Sequence, residues 1–108
     1  MRFFHYSQNN SGGRFTGEYH HIIVQAPSAD VANQIAEDST DIYFYGCAKG
    51  IDCDCCGDRW YEAWSDNGDD LPMIYGTPAD EYSDAMFGGK VLVVYANGDR
   101  KEYGEEFK

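Results

Sequence analysis

Basic residues are scarce in this chain: eight Lys and Arg stand against 19 Asp and Glu, a formal net charge of −11 over 108 residues. A surface that tracks a phosphate backbone needs a basic stripe, and none is present, so ordinary nucleic-acid binding is excluded. Long apolar runs are missing too. The longest is VLVVYA, Val91 to Ala96, far short of the roughly 20 residues that cross a bilayer. The opening MRFFHYSQNN has no apolar signal-like core and turns polar at Ser7, so the expectation is a protein of a reducing cytoplasm rather than an exported one. Gly12-Gly13 and Gly88-Gly89 lack the residues that would make either pair a phosphate cradle, and there is no GxSxG elbow. His20 and His21 are adjacent rather than four apart on a helix, so the HExxH zinc arrangement is absent. Asp66, Asp69 and Asp70 lack the spacing and distal glutamate of a calcium loop and read as a solvated acidic turn. No complete catalytic constellation remains, and a non-enzymatic role is the expectation.

What the chain does hold is aromatic: nine Tyr, six Phe and two Trp. Large rings supply buried area to a small core, and Tyr and Trp also suit binding surfaces. The net charge lies beyond the magnitude of about 2 to 8 that suits a small domain. It does not imply disorder, because 43% of the residues are hydrophobic and they fall in patterned segments. Such a charge steers basic partners toward the protein.

The length and the absence of linkers or repeats predict a single compact domain over residues 1–108. RFFHY reads as a strand with Phe3 and His5 on one face and Phe4 and Tyr6 on the other. YHHIIVQA, Tyr19 to Ala26, reads as a central strand on which His20 and His21 point to opposite faces. PSADVANQIAEDS is the clear helix, N-capped by Ser28 with Asp30 in its first turn. Val31 and Ile35, with Ala32 and Ala36 beside them, form its expected apolar stripe, and Gln34, Glu37 and Asp38 its exposed side. DIYFYG is a short aromatic strand or bend, DRWYEAW a further strand, and the stretch from Ala79 to Met86 a short helix. KVLVVYANGDRKEYG reads as a hairpin about Asn97-Gly98, the pair favoured in a type I′ turn. Its first arm is apolar on both faces and so interior; the second is polar and nearer an edge. The fold class expected is α+β: a small, mainly antiparallel sheet of four or five strands with one main helix packed on a face.

The unusual chemistry lies in GIDCDCCGDRWYEAW, Gly50 to Trp64, preceded by Cys47. Cys47, Cys53, Cys55 and Cys56 are candidate zinc ligands, with His5, His20 or His21 as alternatives to Cys56 in the fourth position. The spacing C-x5-C-x-C-C is unlike the paired C-x2-4-C of structural zinc sites, and adjacent Cys55 and Cys56 do not easily face one ion. The other reading is that these thiols are small buried hydrophobes in a tight turn, with no cofactor at all. Asp52, Asp54 and Asp58 would then cap the turn, and they raise rather than lower a thiol pKa, which disfavours a redox pair or a nucleophile. Arg59, with five donors in a rigid fork, is expected to clamp this turn through Asp52 or Asp58. The acidic candidates for contacting a basic partner are Asp66, Asp69, Asp70, Glu102, Glu105 and Glu106.

The stretch from Asp41 to Trp64 resembles a group of short uncharacterised proteins of tailed bacteriophages. In these a Tyr-Phe-x-Gly stretch precedes an Asp-Cys-x-Cys-Cys-Gly-Asp-Arg-Trp motif. The residues that carry the resemblance are Tyr43, Phe44, Gly46, Gly50, Asp52, Cys53, Cys55, Cys56, Gly57, Asp58, Arg59 and Trp60. It implies a small acidic protein in the host cytoplasm that binds and modulates or inhibits a host protein, such as a defence or nucleic-acid-handling factor. The alternative is a metal-binding domain or small metal-dependent enzyme centred on the Cys47–Cys56 segment.

Overall fold

The computed structural model describes residues 1–7, 19–40, 42–50, 60–64, 68–74, 77–79 and 90–103. Strands β1 (Arg2–Ser7) and β2 (Tyr19–Ala26) pair antiparallel, with Phe4 opposite Val24 and Tyr6 opposite Ile22. Helix α1 (Ala29–Ser39) follows β2 directly. Two short strands, β3 (Met73–Ile74) and β4 (Thr77–Pro78), pair with each other, and β5 (Lys90–Val94) and β6 (Arg100–Tyr103) close the chain. The main sheet runs β1-β2-β5-β6. It is an α+β sheet with one main helix on a face, as the sequence leads one to expect. Its outer pairings are antiparallel, while β2 and β5 run parallel at its centre. A parallel neighbour requires a long crossover, and the chain supplies it through α1 and the segments that follow.

The two central strands are apolar on both faces because both faces are covered. On one face Phe4, Tyr6, Ile22, Val24, Leu92 and Val94 pack against the helix and against Ile42, Phe44 and Trp60. On the other, Phe3, Ile23, Val91 and Val93 pack against Ile74 and Ala79, with Tyr95 and Tyr103 at the margin. Phe3 meets Tyr95 edge to face, ring centroids 5.9 Å apart.

The helix starts where its cap predicts: the Val31 amide donates to Ser28 Oγ at 3.3 Å. Its buried stripe differs from the expected one. Ala29, Ala32, Asn33 and Ala36 face the core, Ile35 is half-buried, and Val31 is 40% exposed. The i, i+3, i+4, i+7 rule selects the small residues because a helix lying close on a sheet leaves no room for branched ones. Thr40 ends the helix, its hydroxyl donating to Ala36 O and accepting from the Ile42 amide.

Two further expectations are corrected. In the β5–β6 hairpin the Gly98 amide donates to Tyr95 O at 2.9 Å, which places Ala96 and Asn97, not Asn97 and Gly98, at the centre of the turn. Gly98 alone has positive φ, at 94°, whereas a type I′ turn needs it at both central positions. The loop is the three-residue kind, a tight turn followed by a left-handed glycine. Residues 60–64 of the DRWYEAW stretch form no strand. Trp60 is buried and Trp64 exposed, so the period-two alternation of rings is not an alternation of burial. Of the helix expected from Ala79 to Met86, only Ala79 is described, in a turn, and the remainder lies outside the described residues.

Among the described residues no helix is long and apolar enough to cross a membrane.

Candidate functional site

Three segments meet beside the helix: α1 itself, residues 42–50 and residues 60–64. What joins them is Asn33, a buried amide on the inner side of α1. Its Oδ1 accepts from Tyr6 Oη at 2.7 Å and from the Ala63 amide at 2.8 Å, and its Nδ2 donates to Ala63 O at 3.1 Å. Both backbone groups of Ala63 are thereby satisfied without a partner strand, which is why 60–64 can lie against the helix as an irregular segment. Burial, and secondarily the nearby charge of Glu62, pushes the Tyr6 phenol well above its ordinary pKa, so it stays a protonated donor to Asn33.

Residues 42–50 send Ile42 and Phe44 inward and leave Tyr43 half-buried and Tyr45 exposed. Tyr45 has φ 58°, the left-handed conformation that costs a side-chain-bearing residue about 1–2 kcal/mol. That backbone reversal carries the Tyr45 ring over to residues 60–64, where its hydroxyl donates to Glu62 Oε1. The result is a cleft of about 190 Å³ lined by Phe44, Tyr45, Trp60, Tyr61, Glu62 and Trp64. Tyr45, Tyr61 and Trp64 are exposed; Phe44 and Trp60 form its buried floor. Glu62 also lines a second hollow of about 230 Å³, with Asp30, Asn33, Gln34, Glu37 and Asp38 of the helix. An aromatic cleft and an acid-lined hollow thus stand side by side and share one carboxylate. Both are smaller than the roughly 300–1,000 Å³ of small-molecule and cofactor sites. They have the scale of side-chain pockets.

On the opposite face of the sheet His5 and His21 meet. His5 Nε2 lies 2.8 Å from His21 Nδ1, and the rings stack with centroids 5.0 Å apart. The contact is a diagonal across the β1–β2 pair, since His5 stands opposite Ile23 and His21 opposite Ser7. Burial first and the charge of His21 second hold the His5 imidazole down at about 4, so it is neutral near pH 7. The two nitrogens in contact serve each other and are not presented to an ion. A β-bulge between Tyr19 and His21 shifts the alternation by one, turning Tyr19 onto the helix side, where its hydroxyl donates to Glu102 Oε1 at 2.8 Å.

Of the expected metal ligands, Cys47 is half-buried in the turn over 46–50 rather than on a strand, and Cys53, Cys55 and Cys56 lie outside the described residues. Among the described residues no group of three or more His, Cys, Asp or Glu is placed to hold a metal ion. Arg59, Asp52 and Asp58, the expected clamp, also lie outside the described residues, as do Asp66, Glu105 and Glu106. Asp69 pairs its backbone with Phe3, and Asp70 takes the guanidinium of Arg2, so both stand at the β1 edge. Glu102 stands on β6, across four strands from them. The acids gathered beside the cleft are Asp30, Glu37, Asp38 and Glu62. The helical ones were readable as a polar face; their meeting with Glu62 was not, because it depends on Asn33 docking a remote segment.

No curated protein and no solved structure matches the chain. A family model does, over residues 1–108, and the protein belongs to the family described as Domain of unknown function (DUF7296).

Proposed function

We propose that this is a small acidic, phage-type binding protein that engages a host protein in the host cytoplasm through a basic surface on that partner, and so modulates or inhibits it. A basic surface built to hold nucleic acid is the kind of target it would occupy, with carboxylates standing where phosphates would lie. The observation that carries this reading is the pairing of the acid-lined hollow with an exposed aromatic cleft: charge for steering and register, rings for contact area. The net charge of −11 supports it by favouring encounter with cations at long range. Asp69 and Glu102 place further carboxylates at opposite edges of the sheet, while Asp70 is engaged by Arg2.

The test is capture of host proteins on immobilised protein at low and moderate salt, followed by titration of the captured partner. Binding should saturate, weaken with salt, and fall at least about tenfold when Glu37 and Asp38 are changed together to Lys. No saturable partner at either salt concentration overturns the proposal.

A further inference from the structure

We infer that the aromatic cleft is a receptor for a single arginine side chain of the partner's basic surface. This rests on the binding reading above and specifies the contact made at that site. Three exposed rings, Tyr45, Tyr61 and Trp64, border the cleft, and Trp64 is 88% exposed where an apolar ring is otherwise costly to leave in water. Among the described residues the one charged group in its lining is Glu62, whose Oε1 already accepts from Tyr45. That bond fixes the carboxylate at the aromatic wall, and on its other side lies the acid-lined hollow of Asp30, Glu37 and Asp38. A cation entering the cleft meets ring faces and a carboxylate together, with further negative charge behind it. The volume of about 190 Å³ suits a side chain rather than a cofactor.

Arginine fits this chemistry better than lysine. Its planar guanidinium stacks on rings, is weakly hydrated, and can donate to Glu62 while lying against Trp64; an ammonium is a strongly hydrated point charge with no flat face. The left-handed backbone of Tyr45 agrees with such a use, since it bears a conformational cost and its ring forms one wall of the cleft. An aliphatic anchor is disfavoured because it would bury Glu62 without a partner charge.

The test uses octa-arginine and octa-lysine, two probes of equal charge, titrated into the full chain at about 0.15 M salt with tryptophan fluorescence and calorimetry as readouts. Octa-arginine should bind about tenfold tighter than octa-lysine and perturb the tryptophan signal. Trp64→Ala should bring the affinity for octa-arginine down to about that for octa-lysine; because Trp64 is exposed, the variant should stay folded. Glu62→Gln should reduce the preference as well. Equal affinity of the parent protein for the two peptides overturns the inference and leaves the binding reading standing, as does an arginine preference that survives Trp64→Ala. Self-association through Trp64, seen in sedimentation of the parent and absent in Trp64→Ala, would give the cleft to a second copy and also overturn it. Binding of neither peptide overturns both readings.

Discussion

The sheet and the segment that carries the aromatic cleft are held in different ways. Strands β1, β2 and β5 are fastened by a continuous backbone ladder and by apolar residues buried on both faces; Ile23, Val24 and Val93 are fully inaccessible. Residues 60–64 belong to no strand, and a single side chain, Asn33, satisfies both backbone groups of Ala63. The first kind of attachment is spread over many residues and tolerates small changes. Among the described residues the second rests on Asn33 and on the buried ring of Trp60, and its hydrogen bonds to Ala63 can all be removed at one position. A surface segment mounted this way can be altered at its exposed positions without rebuilding the sheet.

The sheet, the more firmly held of the two regions, gives the largest effect when it is cut. Ile23→Ala removes a fully buried side chain from the middle of the sheet and should cost about 2–5 kcal/mol, read as a shift of the urea midpoint with one cooperative transition. Asn33→Ala should cost about 2–4 kcal/mol, because it strands the Tyr6 hydroxyl and both backbone groups of Ala63. Its distinguishing mark is local: the Ala63 amide should lose hydrogen-exchange protection while amides of β2 keep theirs. Uniform loss across the chain would show that the two regions are a single unit.

A third test uses pH. Unfolded His5 titrates near 6.5 and folded His5 near 4, so below pH 6.5 the unfolded chain takes a proton that the folded one refuses. Stability is therefore full above about pH 6.5 and falls as pH drops toward 4, by about 3 kcal/mol from this residue. His5→Phe should flatten that limb of the curve relative to the parent protein; an unchanged slope would mean that other groups carry it. The same limb should leave the cleft intact until global unfolding, because the histidine pair and the cleft lie on opposite faces of the sheet.

Glycines at the margins of the sheet give smaller effects. Gly68 has φ 38°, and a Cβ there would approach Arg2 Cβ to 2.8 Å and Phe3 O to 2.9 Å, so Gly68→Ala should cost about 1–3 kcal/mol by pushing residues 68–70 off β1. Gly98→Ala meets no atom within 4 Å and should cost only about 1 kcal/mol, the conformational cost of its positive φ. Thermal melts of the two variants side by side separate crowding from backbone strain.

Strands β1, β2, β5 and β6, the two faces of β1 and β5, the capped helix and the edge position of β6 could all be read from residue order. Each follows from local periodicity, capping chemistry or apolar content. The acidic surplus and the abundance of rings were equally plain. Tertiary contact decided the rest. The parallel pairing of β2 with β5 joins residues whose patterns say nothing about each other, and the bulge before His21 reverses the facing of Tyr19 with no local signal. The alternation in Trp60–Trp64 resembled a strand, but burial there is set by the helix beside it, not by a sheet. Nothing in residue order marks Asn33, yet packing makes it the tie for a segment 30 positions away. The cleft and the acid-lined hollow exist only because that tie brings Glu62 to the helix. Local order determines which residues prefer to be extended, coiled or exposed; which distant carboxylate and ring become neighbours is decided by long-range packing, where one amide hydrogen-bonds and where one tyrosine turns back.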